Sequence, residues 1–119
     1  MKDIDSKVIR LECGDIQKGI EELALELKEE VDGELIYETV KKGKYMTVLL
    51  LSFEKWIFRS STAAVLTLLL VETEGKQTAD VIGSGGGCGW LNLSLGSNRA
   101  YAEDVCEILQ KFGFEEKDI

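Results

Sequence analysis

The residues best placed to do chemistry gather in one glycine-rich run, Gly83-Ser84-Gly85-Gly86-Gly87-Cys88-Gly89. Backbone amides in such a run can cradle an anion, above all a phosphate, and especially ahead of a helix. The established phosphate motifs are not met. A P-loop requires G-x-x-x-x-G-K-[ST], and no lysine follows these glycines. The dinucleotide fingerprint requires G-x-G-x-x-G; Gly83 and Gly85 begin it, and Cys88 stands where the last glycine belongs. A second reading comes from the alternation of Gly83, Gly85, Gly87 and Gly89. In an extended chain these four share one face, which lets another backbone approach closely or the strand bend. Both readings stay open: a structural crossing or bend, and a ligand-facing loop.

If the run binds, the expected ligand is a small anion. Ser84, Gly85, Gly86, Gly87 and Cys88 are the loop contacts, and Arg59 and Arg99 are the cations to meet it from two polar segments, Arg59-Ser60-Ser61-Thr62 and Ser97-Asn98-Arg99. Cys88 is also the one candidate nucleophile, since glycine neighbours leave it accessible and amide dipoles favour a thiolate. The chain has no histidine. That removes Ser-His-Asp and Cys-His catalysis, histidine metal sites and histidine pH switching together. A base for Cys88 would have to be a carboxylate or lysine, such as Asp80 or Lys55. No catalytic residue, cofactor or metal is assigned. The three cysteines, Cys13, Cys88 and Cys106, contain no C-x-x-C pair, which argues against a disulfide framework and a zinc site. Cys13 and Cys106 read as packing residues.

Composition narrows the partners. The 119 residues fit one domain, 1–119, able to bury a core without disulfides or metal. A net charge of −8 disfavours nucleic acid and anionic membrane surfaces. Lys41, Lys42 and Lys44 form the densest basic cluster and read as a solvated hairpin tip. The apolar stretches Val48–Leu51 and Ala63–Val71 fall far short of the ~20 residues a membrane helix needs. Lys2-Asp3-Ile4-Asp5 is no signal peptide, so a cytoplasmic location is expected.

The elements that must position these groups follow from periodicity. Ser6–Cys13 reads as a strand with Lys7, Ile9, Leu11 and Cys13 inward. Gly14-Asp15 opens a helix with Asp15 as N-cap, and Ile16, Ile20, Leu23, Leu27 and Val31 form its apolar face up to a Gly33 terminator. Leu35–Lys41 and Tyr45–Phe53 form a hairpin about Lys42-Gly43-Lys44, with Lys55–Phe58 continuing the second strand after a bend. Ala64–Thr73 and Lys76–Ile82 form another hairpin about Glu74-Gly75. Trp90–Leu95 reads as a strand. The last helix starts at Gly96-Ser97-Asn98, buries Tyr101, Val105, Ile108, Leu109 and Phe112, and ends at Gly113; the tail 115–119 is expected to fray. The order β-α-β-β-β-β-β-α predicts an α+β two-layer sandwich, an antiparallel sheet of five or six strands with both helices on one face.

That architecture leaves a tension. The central strands are apolar on both sides: Val48 and Leu50 against Leu49 and Leu51, Val65, Leu69 and Val71 against Leu66, Leu68 and Leu70. Two helices cover one face only. The other needs curvature around a cavity, a loop, or a second subunit, and a homodimer through the apolar sheet face is the expectation.

Phe53-Glu54-Lys55-Trp56-Ile57-Phe58-Arg59, the strand after it, the Val81–Gly87 run and Gly96 resemble a family of small bacterial proteins of unknown function, with the pattern FExxxFR…GSGGGxG. The likeness covers roughly the C-terminal two-thirds. It implies a cytosolic bacterial domain and transfers no activity or site residue. The expected function is therefore a small non-enzymatic domain that binds a partner or small ligand as a homodimer. The alternative is a small enzyme or anionic-ligand sensor that uses Gly83–Gly89.

Overall fold

A computed structural model of the chain describes residues 7–57, 62–84 and 95–117. Their elements run β1 (Lys7–Cys13), α1 (Ile20–Glu30), β2 (Glu34–Lys42), β3 (Met46–Ile57), β4 (Thr62–Thr73), β5 (Lys76–Ser84), α2 (Leu95–Gln110) and β6 (Glu115–Lys117). The strands form one antiparallel sheet in the order β2-β3-β4-β5-β1-β6. The expected α+β sandwich, with both helices on one sheet face, is the fold observed.

Alternation decides which face is covered. Along β5, Gln77, Ala79, Val81 and Gly83 are buried, while Thr78, Asp80, Ile82 and Ser84 are half-buried. The register carries this parity across the sheet, so Ile9 and Leu11 of β1, Leu66, Leu68 and Leu70 of β4, and Leu49, Leu51 and Phe53 of β3 share the buried face. Ile20, Leu23, Ala24 and Leu27 of α1 and Tyr101, Ala102, Val105, Cys106 and Leu109 of α2 complete this core. Stacking helices there removes whole leucine side chains from water, roughly 1.5–3 kcal/mol each.

Three details depart from the expectations. Helix α1 starts at Ile20, not at Gly14-Asp15; Gly19 is its N-cap and makes no side-chain capping bond. The cap comes from β4, where Glu72 accepts from the Ile20 amide, so Asp15 has no capping role. The strand β3 runs unbroken through Lys55 to Ile57. The tail does not fray: β6 pairs with β1, Arg10 opposite Lys117 and Glu12 opposite Glu115. The strand expected at Trp90–Leu95 falls outside the described residues except for Leu95, the first residue of α2.

Helix α2 ends as its sequence implies. Gly113 takes φ +92°, its amide bonds the Gln110 carbonyl, and the Phe114 amide bonds the Leu109 carbonyl. Both ends of this Schellman arrangement satisfy orphan carbonyls, and buried Phe114 adds the apolar contact. Among the described residues no helix is long and apolar enough to cross a membrane.

Candidate functional site

Of the residues proposed to hold an anion, Ser84 and Arg99 are described; Gly85, Gly86, Gly87, Cys88 and Arg59 lie outside the described residues. Ser84 ends β5 opposite Val65, on the sheet face turned away from the helices. Arg99 is an exposed position of α2, which packs on the other face. The two candidate bases are also separated. Asp80 is on the open face, held by Arg10 through Nε to Oδ1 at 2.7 Å and Nη2 to Oδ2 at 3.3 Å. The same pairing raises the guanidinium's affinity for its proton. Lys55 is on the helix-covered side, 3.2 Å from Asp32 and over the Tyr101 ring. The sheet itself stands between them.

Tyr101 is buried and donates its hydroxyl to the Asp32 carbonyl. Burial pushes its phenol above the ordinary value, and the Asp32 carboxylate adds to the shift. This group ties α2 to the α1–β2 connection. Among the described residues, surface recesses of about 190, 370 and 320 Å³ are lined by charged residues mixed with glycine, other polar and a few apolar side chains. The largest holds Glu12, Asp15, Lys76, Glu115 and Lys117 about three glycines. Among the described residues no group of acidic or thiol side chains is arranged to hold a metal ion. Cys13 and Cys106 are buried, as expected of packing residues.

The feature that stands out is the open sheet face. Registers align its side chains in rows: Val48, Val71, Thr78 and Glu12; Leu50, Leu69, Asp80 and Arg10; Ser52, Thr67, Ile82 and Val8; Glu54, Val65 and Ser84. The aliphatic members are half-buried, and among the described residues no helix packs over them. Ser52 and Thr67 bond one another within the face at 3.4 Å. Charge collects at its margin, in the Arg10–Asp80 pair, Glu12 and Glu54. An apolar centre with a charged rim is the anatomy of a docking surface.

Residues 7–113 match the model of a family of unknown function, DUF6054. The chain belongs to that family. No curated protein and no solved structure matches it. The match runs from β1 through α2 to Gly113, and it assigns no chemistry to any residue. Sequence reasoning found the two-sided apolarity of β3 and β4. It missed the polar rows within the face, because the pairing of Ser52 with Thr67, or Asp80 with Arg10, depends on register.

Proposed function

We propose that the chain is a single binding domain rather than an enzyme, and that it docks through its open sheet face onto a second copy of itself. One observation carries this reading: Val8, Val48, Leu50, Val65, Leu69, Val71 and Ile82 share a face that no described helix covers. Five strands of 7 to 12 residues, about 4.8 Å apart, present roughly 700 Å², close to the ~800 Å² per partner of a standard stable interface. Sheets packed face to face through such rows form ordinary β-sandwich layers. Ser84 lies on the open face while Arg99 belongs to α2 on the other, which gives the anionic-ligand alternative no support. We further read the domain as cytoplasmic, where buried thiols such as Cys13 and Cys106 stay reduced.

Light scattering at micromolar concentration tests the reading. The expected mass is at least twice 13.2 kDa, and Leu69→Glu should lower it without altering the circular dichroism spectrum. A monomeric mass for the unaltered chain overturns it.

A further inference from the structure

The second exposed feature is an edge. Among the described residues β2 is the outermost strand next to β3, and eight of its nine residues are exposed. Its hydrogen-bonding groups have a definite phase. The Gly43 amide donates to the Met46 carbonyl at 2.7 Å, which makes that pair a bonded one. Bonded and non-bonded pairs alternate along an antiparallel ladder, so Lys41 and Thr39 direct their backbone groups at Val48 and Leu50 of β3. Lys42, Val40 and Glu38 direct theirs at the free edge.

The side chains of those same three residues lie on the helix-covered side, since Glu38 and Val40 oppose the buried Leu51 and Leu49. There α1 holds them from above. Lys28 Nζ bonds the Glu38 carboxylate at 2.9 and 3.0 Å, and Glu21 pairs with Lys42 at 2.8 Å. Positions 21, 25 and 28 follow one another along one face of a helix. Leu25 therefore stands between the two ion pairs on the helix, as Val40 does on the strand. Both are exposed, at 60% and 42%. Natural edge strands of this length are usually covered or blunted, because unpaired backbone groups invite another strand.

We propose that β2 pairs antiparallel with β2 of a second copy, about a two-fold axis at Val40. The charge order of the strand supports this occupant. Glu38 then faces the partner's Lys42, and Lys42 faces the partner's Glu38. Each of these joins an alternating row: Lys28, Glu38, the partner's Lys42, the partner's Glu21. Val40 meets the partner's Val40 at the axis, and the two Leu25 side chains flank that contact. The pairs 38–42, 40–40 and 42–38 are the ones whose backbone groups have no partner among the described residues, so each exchanges both N–H···O bonds. The contact is isologous and closes on itself. It uses a different surface from the open face. The edge axis stands perpendicular to the sheet and the face axis lies parallel to it, so both contacts can coexist in a tetramer with three mutually perpendicular two-folds.

The test uses charge at the axis, where a residue meets itself. In a Leu69→Glu background, which disables the open face, V40D and V40K are each measured alone and mixed in equal amounts by sedimentation. The parent with Leu69→Glu alone is expected to dimerise. Each variant alone should lose at least tenfold in affinity, and the mixture should recover that loss by forming the Asp–Lys pair. A second set, E38K with K42E, must behave the same way, because the mixture restores opposite charges at both ends of the ladder. Thermal melting of each variant confirms that it is folded. A mixture that associates no better than its components, or a monomeric parent up to millimolar concentration, overturns the proposal. Failure of the open-face reading leaves this result readable, because that face is already disabled.

Discussion

The Ile20 amide at the start of α1 donates to Glu72 Oε1 on β4, 3.1 Å away and 52 residues further along the chain. The same oxygen accepts from Gln77 Nε2 at 2.7 Å, and Gln77, 1% exposed, also donates to the Lys18 carbonyl at 2.6 Å. A carboxylate at a helix N-terminus answers both the orphan amides and the helix dipole. Here the cap is tertiary: the β4–β5 hairpin fixes where α1 begins.

Glu72→Ala should therefore cost about 1–3 kcal/mol, the loss of a charge-assisted bond plus an under-satisfied buried amide at Gln77. Chemical denaturation measures it. The helical signal near the α1 start should weaken in the same variant, read by amide exchange at Leu23, whose amide bonds the Gly19 carbonyl. Glu72→Gln, which keeps an acceptor oxygen without the charge, should cost less.

Neighbouring leucines on β4 should respond oppositely. Leu68 is fully buried against the helices, so Leu68→Ala should destabilise by about 2–5 kcal/mol at any concentration. Leu69 faces the open side and pairs with Leu50. Leu69→Ala should cost below about 1 kcal/mol in dilute protein, and its cost should grow with concentration as association buries the wild-type side chain. Melting curves across a hundredfold concentration range distinguish the two.

Gly33 and Gly75 both hold positive φ, at 119° and 77°, but only Gly33 is crowded. A Cβ at Gly33 would lie 2.9 Å from the Glu54 carbonyl oxygen and would also strike the Tyr101 hydroxyl, whereas at Gly75 it would meet open space. Gly75→Ala should cost about 1 kcal/mol from backbone strain alone. Gly33→Ala should cost at least twice that, because the Tyr101–Asp32 bond must also give way. Parallel urea titrations check the order.

Tyr101 adds a dependence on alkali. Its folded-state phenol resists ionisation, while the unfolded chain titrates near the ordinary value of 10.0. The stabilisation it supplies is complete below that pH and declines as the pH rises beyond it. Tyr101→Phe should be less stable than the wild type by about 1 kcal/mol at pH 8, and the gap should narrow between pH 10 and 11. A gap that stays constant across that range would show that burial does not hold the phenol neutral.

Local patterns made most of the fold legible. The alternation in Val8–Cys13, the Glu74-Gly75 turn and the Gly113 terminator each need only near neighbours, and each is where the sequence implied. The failures are tertiary. Asp15 has the chemistry of an N-cap, yet α1 starts four residues past Ile16 because Glu72 supplies its acceptor from another strand. Residues Glu115–Lys117 look like a charged tail, yet β1 offers them an unpaired edge. For the candidate site, the two-sided apolarity of β3 and β4 pointed at the open face. The proposed edge contact was invisible, because Glu38, Val40 and Lys42 acquire a shared direction only once the hairpin phase is set by Gly43 and Met46.

The two margins of the sheet are unequal. Among the described residues β2 offers nine at one margin and β6 three at the other, with Glu115 and Glu116 both exposed. A sheet with two long free margins could add chains one after another into a fibre. Among the described residues one margin is long enough to accept a strand, and the opposite one is a short stub of Glu115, Glu116 and Lys117, too short to template another strand. Under the proposed pairing, a copy joined through β2 uses up the longer of the two described margins, which favours a closed pair over a fibre.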